Sequence, residues 1–88
     1  MVEGHYVYVL YANAFDKVYI GYSSDPEKRL ISHNADFNHG WTRRYRPWSL
    51  VYTEKLPTKK IALQRERQLK SARGRRFIRE EIINQLPD

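Results

Sequence analysis

Arg29 and His33 stand four residues apart in a segment of helical character. On a helix that spacing sets one side chain above the other. A guanidinium and an imidazole on one exposed face could hold a phosphate and transfer a proton. A solvated helix face also carries such pairs by chance. Glu66 lies four residues from Ala62 and three from each of Leu63 and Leu69. It therefore falls in the middle of an apolar stripe, where an unpaired carboxylate is costly. Its partner is either a neighbouring arginine, giving a structural ion pair, or a hard divalent cation that takes oxygen ligands and keeps several waters. Tyr8 and Tyr19 lie in two β-type segments. They are either half-buried strand residues with wet hydroxyls, or phenols turned toward a cation or a histidine. A free phenol, with a pKa of about 10, is a poor base at neutral pH. Trp41, Tyr45 and Trp48 alternate with Arg43, Arg44 and Arg46. That mixture suits stacking on bases and pairing with phosphates. It equally suits a loop fastened to the core by its tryptophans, Trp48 above all. His5 and His39 have no partner identifiable from spacing.

A small set of elements must position these residues. His5 to Tyr11 is aromatic and β-branched and predicts a strand. Its alternation puts Tyr6, Tyr8 and Leu10 on one face and Val7, Val9 and Tyr11 on the other. Asn13 and Asp16 favour a turn, and Val18 to Tyr22 predicts the second strand of an antiparallel hairpin. Gly21, inside that strand, marks a bulge or a close approach to the backbone. Either Asp25 as N-cap with Pro26 behind it, or Ser24 and Glu27 as a capping box, starts a helix running to about Asn34. Leu30 and Ile31 are expected to anchor it, and Asn34-Ala35-Asp36 to end it. Residues 36–48 read as a loop and Ser49 to Glu54 as a third strand. Thr58 caps a helix over about 59–70. A further helical stretch after Gly74 repeats Ile78, Ile82 and Leu86 every four residues. The order β-β-α-β-α-α predicts one α+β domain over residues 1–88, a three-stranded antiparallel sheet flanked by helices.

Composition limits what such a domain can be. The chain has 88 residues, 41% of them hydrophobic, and no cysteine. Disulfide scaffolds, zinc knuckles, iron–sulfur sites and thiol nucleophiles are thereby excluded. No apolar run approaches the roughly 18–20 residues of a membrane span. Met1-Val2-Glu3-Gly4-His5 lacks the basic and apolar regions of a signal peptide. A soluble, cytoplasmic protein without a membrane is expected. The net charge is +6, and it is unevenly spread. Residues 41–79 hold thirteen Lys/Arg against two acids, whereas residues 1–40 hold three against five. So basic a segment most often faces a polyanion, or else is a solvated surface.

Taken together, these residues resemble the GIY-YIG endonuclease superfamily. Tyr19-Ile20-Gly21 is the second half of its signature, and Tyr6-Val7-Tyr8 matches the first half, with ten residues separating Tyr8 from Tyr19. Arg29 and His33 match the family's helix pattern, and Glu66 its metal-binding glutamate. Tyr6 departs from the pattern, standing where the name motif has its first glycine. The resemblance covers about residues 5–80 and is to the small stand-alone members. It implies a metal-dependent phosphodiesterase. One divalent ion, magnesium or else manganese, would sit on Glu66. Tyr8 would act as general base or position the attacking water, with Tyr19 supporting it from the next strand. Arg29 would stabilise charge on the scissile phosphate, and His33 would orient or deprotonate the tyrosine hydroxyl. A cation and an arginine near Tyr8 would favour its phenolate. The basic segment would hold the nucleic acid, DNA more readily than RNA, through Arg43, Arg44, Tyr45 and Arg46, then Lys59, Lys60, Arg65 and Lys70. Repair or recombination is the setting that the resemblance suggests. Two alternatives remain at this point. One is a catalytically silent nucleic-acid-binding module, with a partner protein supplying recognition; the other is a basic adaptor for an acidic partner protein.

Overall fold

The run from His5 to Ala12 carries large apolar or aromatic side chains at nearly every position, so a strand made of it must be covered on both faces. It is β1 (His5–Ala12), the central strand of a computed structural model that describes residues 4–35 and 40–87. β2 (Lys17–Ser23) and β3 (Ser49–Leu56) flank it, both antiparallel, in the order β2-β1-β3. The register sets Tyr8 opposite Gly21 on one side and Thr53 on the other. Gly21 lies in regular pairing. The bulge falls instead between Val9 and Leu10 on the β3 side, where Val9 faces Tyr52 and Leu10 faces Leu50.

α1 (Pro26–Asn34) is capped by Asp25, whose Oδ1 accepts the Lys28 N–H at 3.2 Å. The capping-box alternative is therefore not the one used. α2 (Lys59–Lys70) is capped by Thr58, which accepts the Ile61 N–H at 3.1 Å. α3 (Ala72–Phe77) begins before Gly74, not after it, because Ser71 Oγ caps it by accepting the Gly74 N–H at 3.1 Å. Glycine is required there, since a Cβ would collide with the Gln68 carbonyl and the Leu69 backbone where α2 ends. Beyond α3 the backbone widens into a π turn over Ile78–Ile82 and closes with a 3-10 turn over Ile83–Gln85. Within the expected loop, Trp41–Tyr45 forms another 3-10 turn. The position of His39 lies outside the described residues. Among the described residues no helix is long and apolar enough to cross a membrane.

The two faces of β1 build two cores. Val7, Val9 and Ile20 pack with Ala62, Leu69, Ile78 and Ile82. On the other face Tyr8, Leu10 and Ala12 pack with Trp48, with Leu30 and Tyr19 against them. Two residues expected to face the core do not: Ile31, an expected anchor, is 69% exposed, and Leu63, in the expected apolar stripe, is 40% exposed. Each stands about 100° around its helix from a residue that faces the sheet, Leu30 and Ala62, so it points past the core. The cost of truncation should follow this division. Leu69→Ala is expected to lower stability by about 2–4 kcal/mol and Ile31→Ser by less than about 0.5 kcal/mol, as measured by urea denaturation.

Candidate active site

The ring of Tyr8 lies over Gly21. A Cβ at position 21 would come within 2.6 Å of the Tyr8 Cζ and hydroxyl oxygen. The glycine foreseen as a close approach is therefore an approach by Tyr8 itself. The ring is 2% exposed, and its hydroxyl lies 3.2 Å from His33 Nε2. Tyr19, two residues before Gly21 on β2, holds its ring tilted against that of His33, centroids 4.5 Å apart, and 6.1 Å from that of Tyr8. The two tyrosines and the histidine thus form one cluster between sheet and α1.

His33 does not lie on an exposed face with Arg29. It is half-buried beside Pro26 and Leu30, while Arg29, one helical turn before it, is exposed. A second contact fixes the imidazole: Nδ1 lies 2.9 Å from the hydroxyl of Thr42. Thr42 is buried, and its carbonyl accepts the Trp48 indole N–H at 2.7 Å. Asn34 clamps the backbone of the same tryptophan, accepting its N–H at 2.7 Å and donating to its carbonyl at 3.1 Å. Trp48 does fasten the loop, and the loop in turn positions the histidine. Nothing in the sequence marked Thr42 beyond its place between two tryptophans.

The charges around the cluster act on one atom. Burial first, and then the neighbouring Tyr19, push the Tyr8 hydroxyl well above the ordinary phenol range. The Arg29 cation pulls it down and the Glu66 carboxylate pushes it up, so both lie within electrostatic reach of Tyr8. The expected Tyr8 phenolate rests on a cation beside Arg29; the protein's own groups, taken together, act in the opposite direction. The surrounding protein favours the neutral phenol, because the low dielectric outweighs one exposed guanidinium. His33 is held below its ordinary value by burial and then by Arg29, so the imidazole is neutral near pH 7.

Glu66 lies on α2 between Ala62 and Leu69, as its spacing required, with its side chain 20% exposed. Its partner is Lys70, at 3.5 Å one helical turn on, and not an arginine. Among the described residues no three His, Cys, Asp or Glu side chains converge. A cage made wholly of protein ligands does not fit this arrangement. A single partly exposed carboxylate within electrostatic reach of Tyr8 fits a hard ion that keeps most of its waters.

The remaining basic residues divide. Arg43, Arg44, Lys59 and Lys60 are exposed, and Tyr45 and Arg46 are partly covered. Arg46 donates to the Asn34 carbonyl at 3.4 Å. Arg65 is tied to Glu54 at 3.0 Å, and Lys70 is tied to Glu66. Those two cations are already engaged by carboxylates. His5, which spacing left without a partner, lies 3.0 Å from the Tyr22 hydroxyl.

The model of the GIY-YIG catalytic domain matches residues 4–79. A UPF0213 protein of Natronomonas pharaonis is 38% identical over 84 residues, which is 92% of this chain and 98% of that one. A UPF0213 protein of Bacillus pumilus is 42% identical over 69 residues, 78% of this chain and 69% of that one. The solution NMR structure of a UPF0213 protein from Bacillus halodurans superposes with a TM-score of 0.51 at 30% identity, covering 85% of this chain and 81% of that one.

Two measurements follow from the geometry. Gly21→Ala should displace the Tyr8 ring, cost about 1–3 kcal/mol in urea denaturation, and shift the His33 ring resonances. NMR titration should give His33 a midpoint below 6.5, and Arg29→Ala should raise it. Because the folded state resists protonation here, this group's contribution to stability is fully present above pH 6.5 and is lost as pH falls toward the lowered midpoint.

Proposed function

The chain belongs to the GIY-YIG catalytic-domain family, a nuclease class, and from that membership we propose that it is a metal-dependent endonuclease hydrolysing phosphodiester bonds, in DNA before RNA, as a single domain over residues 1–88. The observation that carries the reading is the Tyr8 hydroxyl held against neutral His33, with Tyr19 beside it and Arg29 and Glu66 acting on the same atom.

Each group has a task its surroundings suit. In the tautomer that places its proton on Nδ1, His33 donates to Thr42 Oγ1 and leaves Nε2 free to accept from Tyr8. Tyr8 then takes a proton from an attacking water as its own passes to Nε2. A phenol that resists ionising alone is matched to that coupled transfer, in which no free phenolate accumulates. Tyr19 braces the imidazole and the Tyr8 hydroxyl from the next strand. Arg29, exposed and permanently charged, meets the scissile phosphate and offsets the charge gathering on its oxygens. Glu66 would hold magnesium or manganese, which supplies Lewis-acid polarisation of the phosphate when bound. Lys70 is the ammonium such an ion would replace at the carboxylate. Arg43, Arg44, Lys59 and Lys60 supply phosphate contacts that position the strand without reading its sequence. Repair or recombination of branched DNA is the corresponding cellular role.

The test is cleavage of branched, flapped, single-stranded and duplex DNA by the purified protein with magnesium or manganese. Glu66→Gln, Tyr8→Phe and Arg29→Ala should each lower the rate by roughly 100-fold or more, and a chelator should abolish it. Unchanged cleavage by Glu66→Gln would overturn the assignment of the metal-holding residue.

A further inference from the structure

Away from the proton-transfer cluster, three aromatic side chains meet on the surface. Trp41 is 50% exposed and Phe15 is 49% exposed. The Tyr45 ring packs 4.9 Å from the first and 5.6 Å from the second. Single exposed apolar residues need no explanation, but a contiguous group marks an interaction surface. Cations border this one. The Lys17 ammonium lies 5.4 Å over the Tyr45 ring, and Arg43 and Arg44 are exposed on the turn that begins with Trp41. Beside Trp41 opens a cleft of about 440 Å³, lined also by Asp16, Lys17, Arg75 and Arg79. Asp16 is already engaged by Arg79 and by the Tyr11 hydroxyl, so Lys17 and Arg75 give the cleft its positive charge.

Flat rings bordered by cations are the chemistry of a nucleotide taken out of its stack, with ring for base and cation for phosphate. An acidic protein segment would satisfy the cations but leave the ring faces without a flat partner. The rings also connect to the candidate active site. Trp41 lies 5.8 Å from Trp48, and Trp48 lies 6.4 Å from Tyr19.

We propose that Trp41, with Phe15 and Tyr45, is a stacking platform for an unpaired nucleobase beside the active site. The substrates are then nucleic acids that present a single-stranded segment, such as a flap, a bulge or an open end, and not uninterrupted duplex. Calling them substrates rests on the nuclease reading; the binding site does not.

The experiment is a binding measurement in chelator, where nothing is cut. The probes are a short single-stranded thymidine oligonucleotide and a blunt hairpin duplex, each fluorescein-labelled. Trp41→Ala should weaken the single strand by roughly tenfold, the lower end of what one stacked base contributes, and the hairpin by less than about twofold. Trp41→Phe keeps a ring and should keep the affinity, while the quench of tryptophan emission seen with the parent disappears, because Trp48 is buried. The thermal midpoints of both variants serve as the folding control; if Trp41→Ala unfolds, Phe15→Ala takes its place. Equal loss for both probes, no loss for either, or no binding of the oligonucleotide by the parent overturns the platform. Cleavage with magnesium is scored separately. Selective loss without any cleavage keeps the platform and removes the nuclease; cleavage without selective loss does the reverse.

Discussion

A side chain at position 21 and the ring of Tyr8 cannot occupy the same place. The rest of the arrangement depends on that exclusion. Because β2 offers bare backbone opposite Tyr8, the ring lies flat across the neighbouring strand and delivers its hydroxyl to α1. There it finds His33, which comes from the helix that Asp25 starts and Pro26 orients. The glycine adopts no unusual backbone angle, so its value lies in volume and not in conformational freedom.

The second dependence is on the loop. Thr42, Trp48 and Asn34 form a chain of buried and partly buried hydrogen bonds from the end of α1 to the start of β3. It reaches His33 through the Thr42 hydroxyl. An imidazole with one nitrogen so engaged has a defined orientation at the other, which is what a proton relay requires. Among the described residues no buried side-chain polar atom lacks a partner. The cluster's polar atoms are thus satisfied, and its neutral phenol and neutral imidazole are properties of the packed state.

Charge operates at two ranges. Near the cluster, one guanidinium and one carboxylate oppose each other on a single hydroxyl, and neither overcomes burial. Over the surface, the excess of arginine and lysine is partly spent on internal pairs such as Arg65 with Glu54. What remains exposed lies around Trp41 and along the start of α2.

Much of this was legible beforehand, for a physical reason. Caps, helix periods and strand alternation are set by residues within a turn of one another. Thr58 beginning α2, Asp25 beginning α1 and the two faces of β1 therefore followed from local pattern alone, as did the order of elements. Local pattern also marked Gly21 inside β2 as a bulge or close approach, whereas the roles of Tyr8 and Tyr19 came from the resemblance. Local pattern failed where a rotation of about 100° decides the outcome, as with Ile31 and Leu63, or where two backbones touch, as at Gly74. It could not reveal Thr42 behind His33, Lys70 in place of an arginine on Glu66, or the direction in which Tyr8 resists ionising. Those depend on which distant segments the sheet register and the two cores bring within a few ångströms, and on how much water they exclude. Sequence alone determined the parts and their types; tertiary packing decided which of them meet and in what state of protonation.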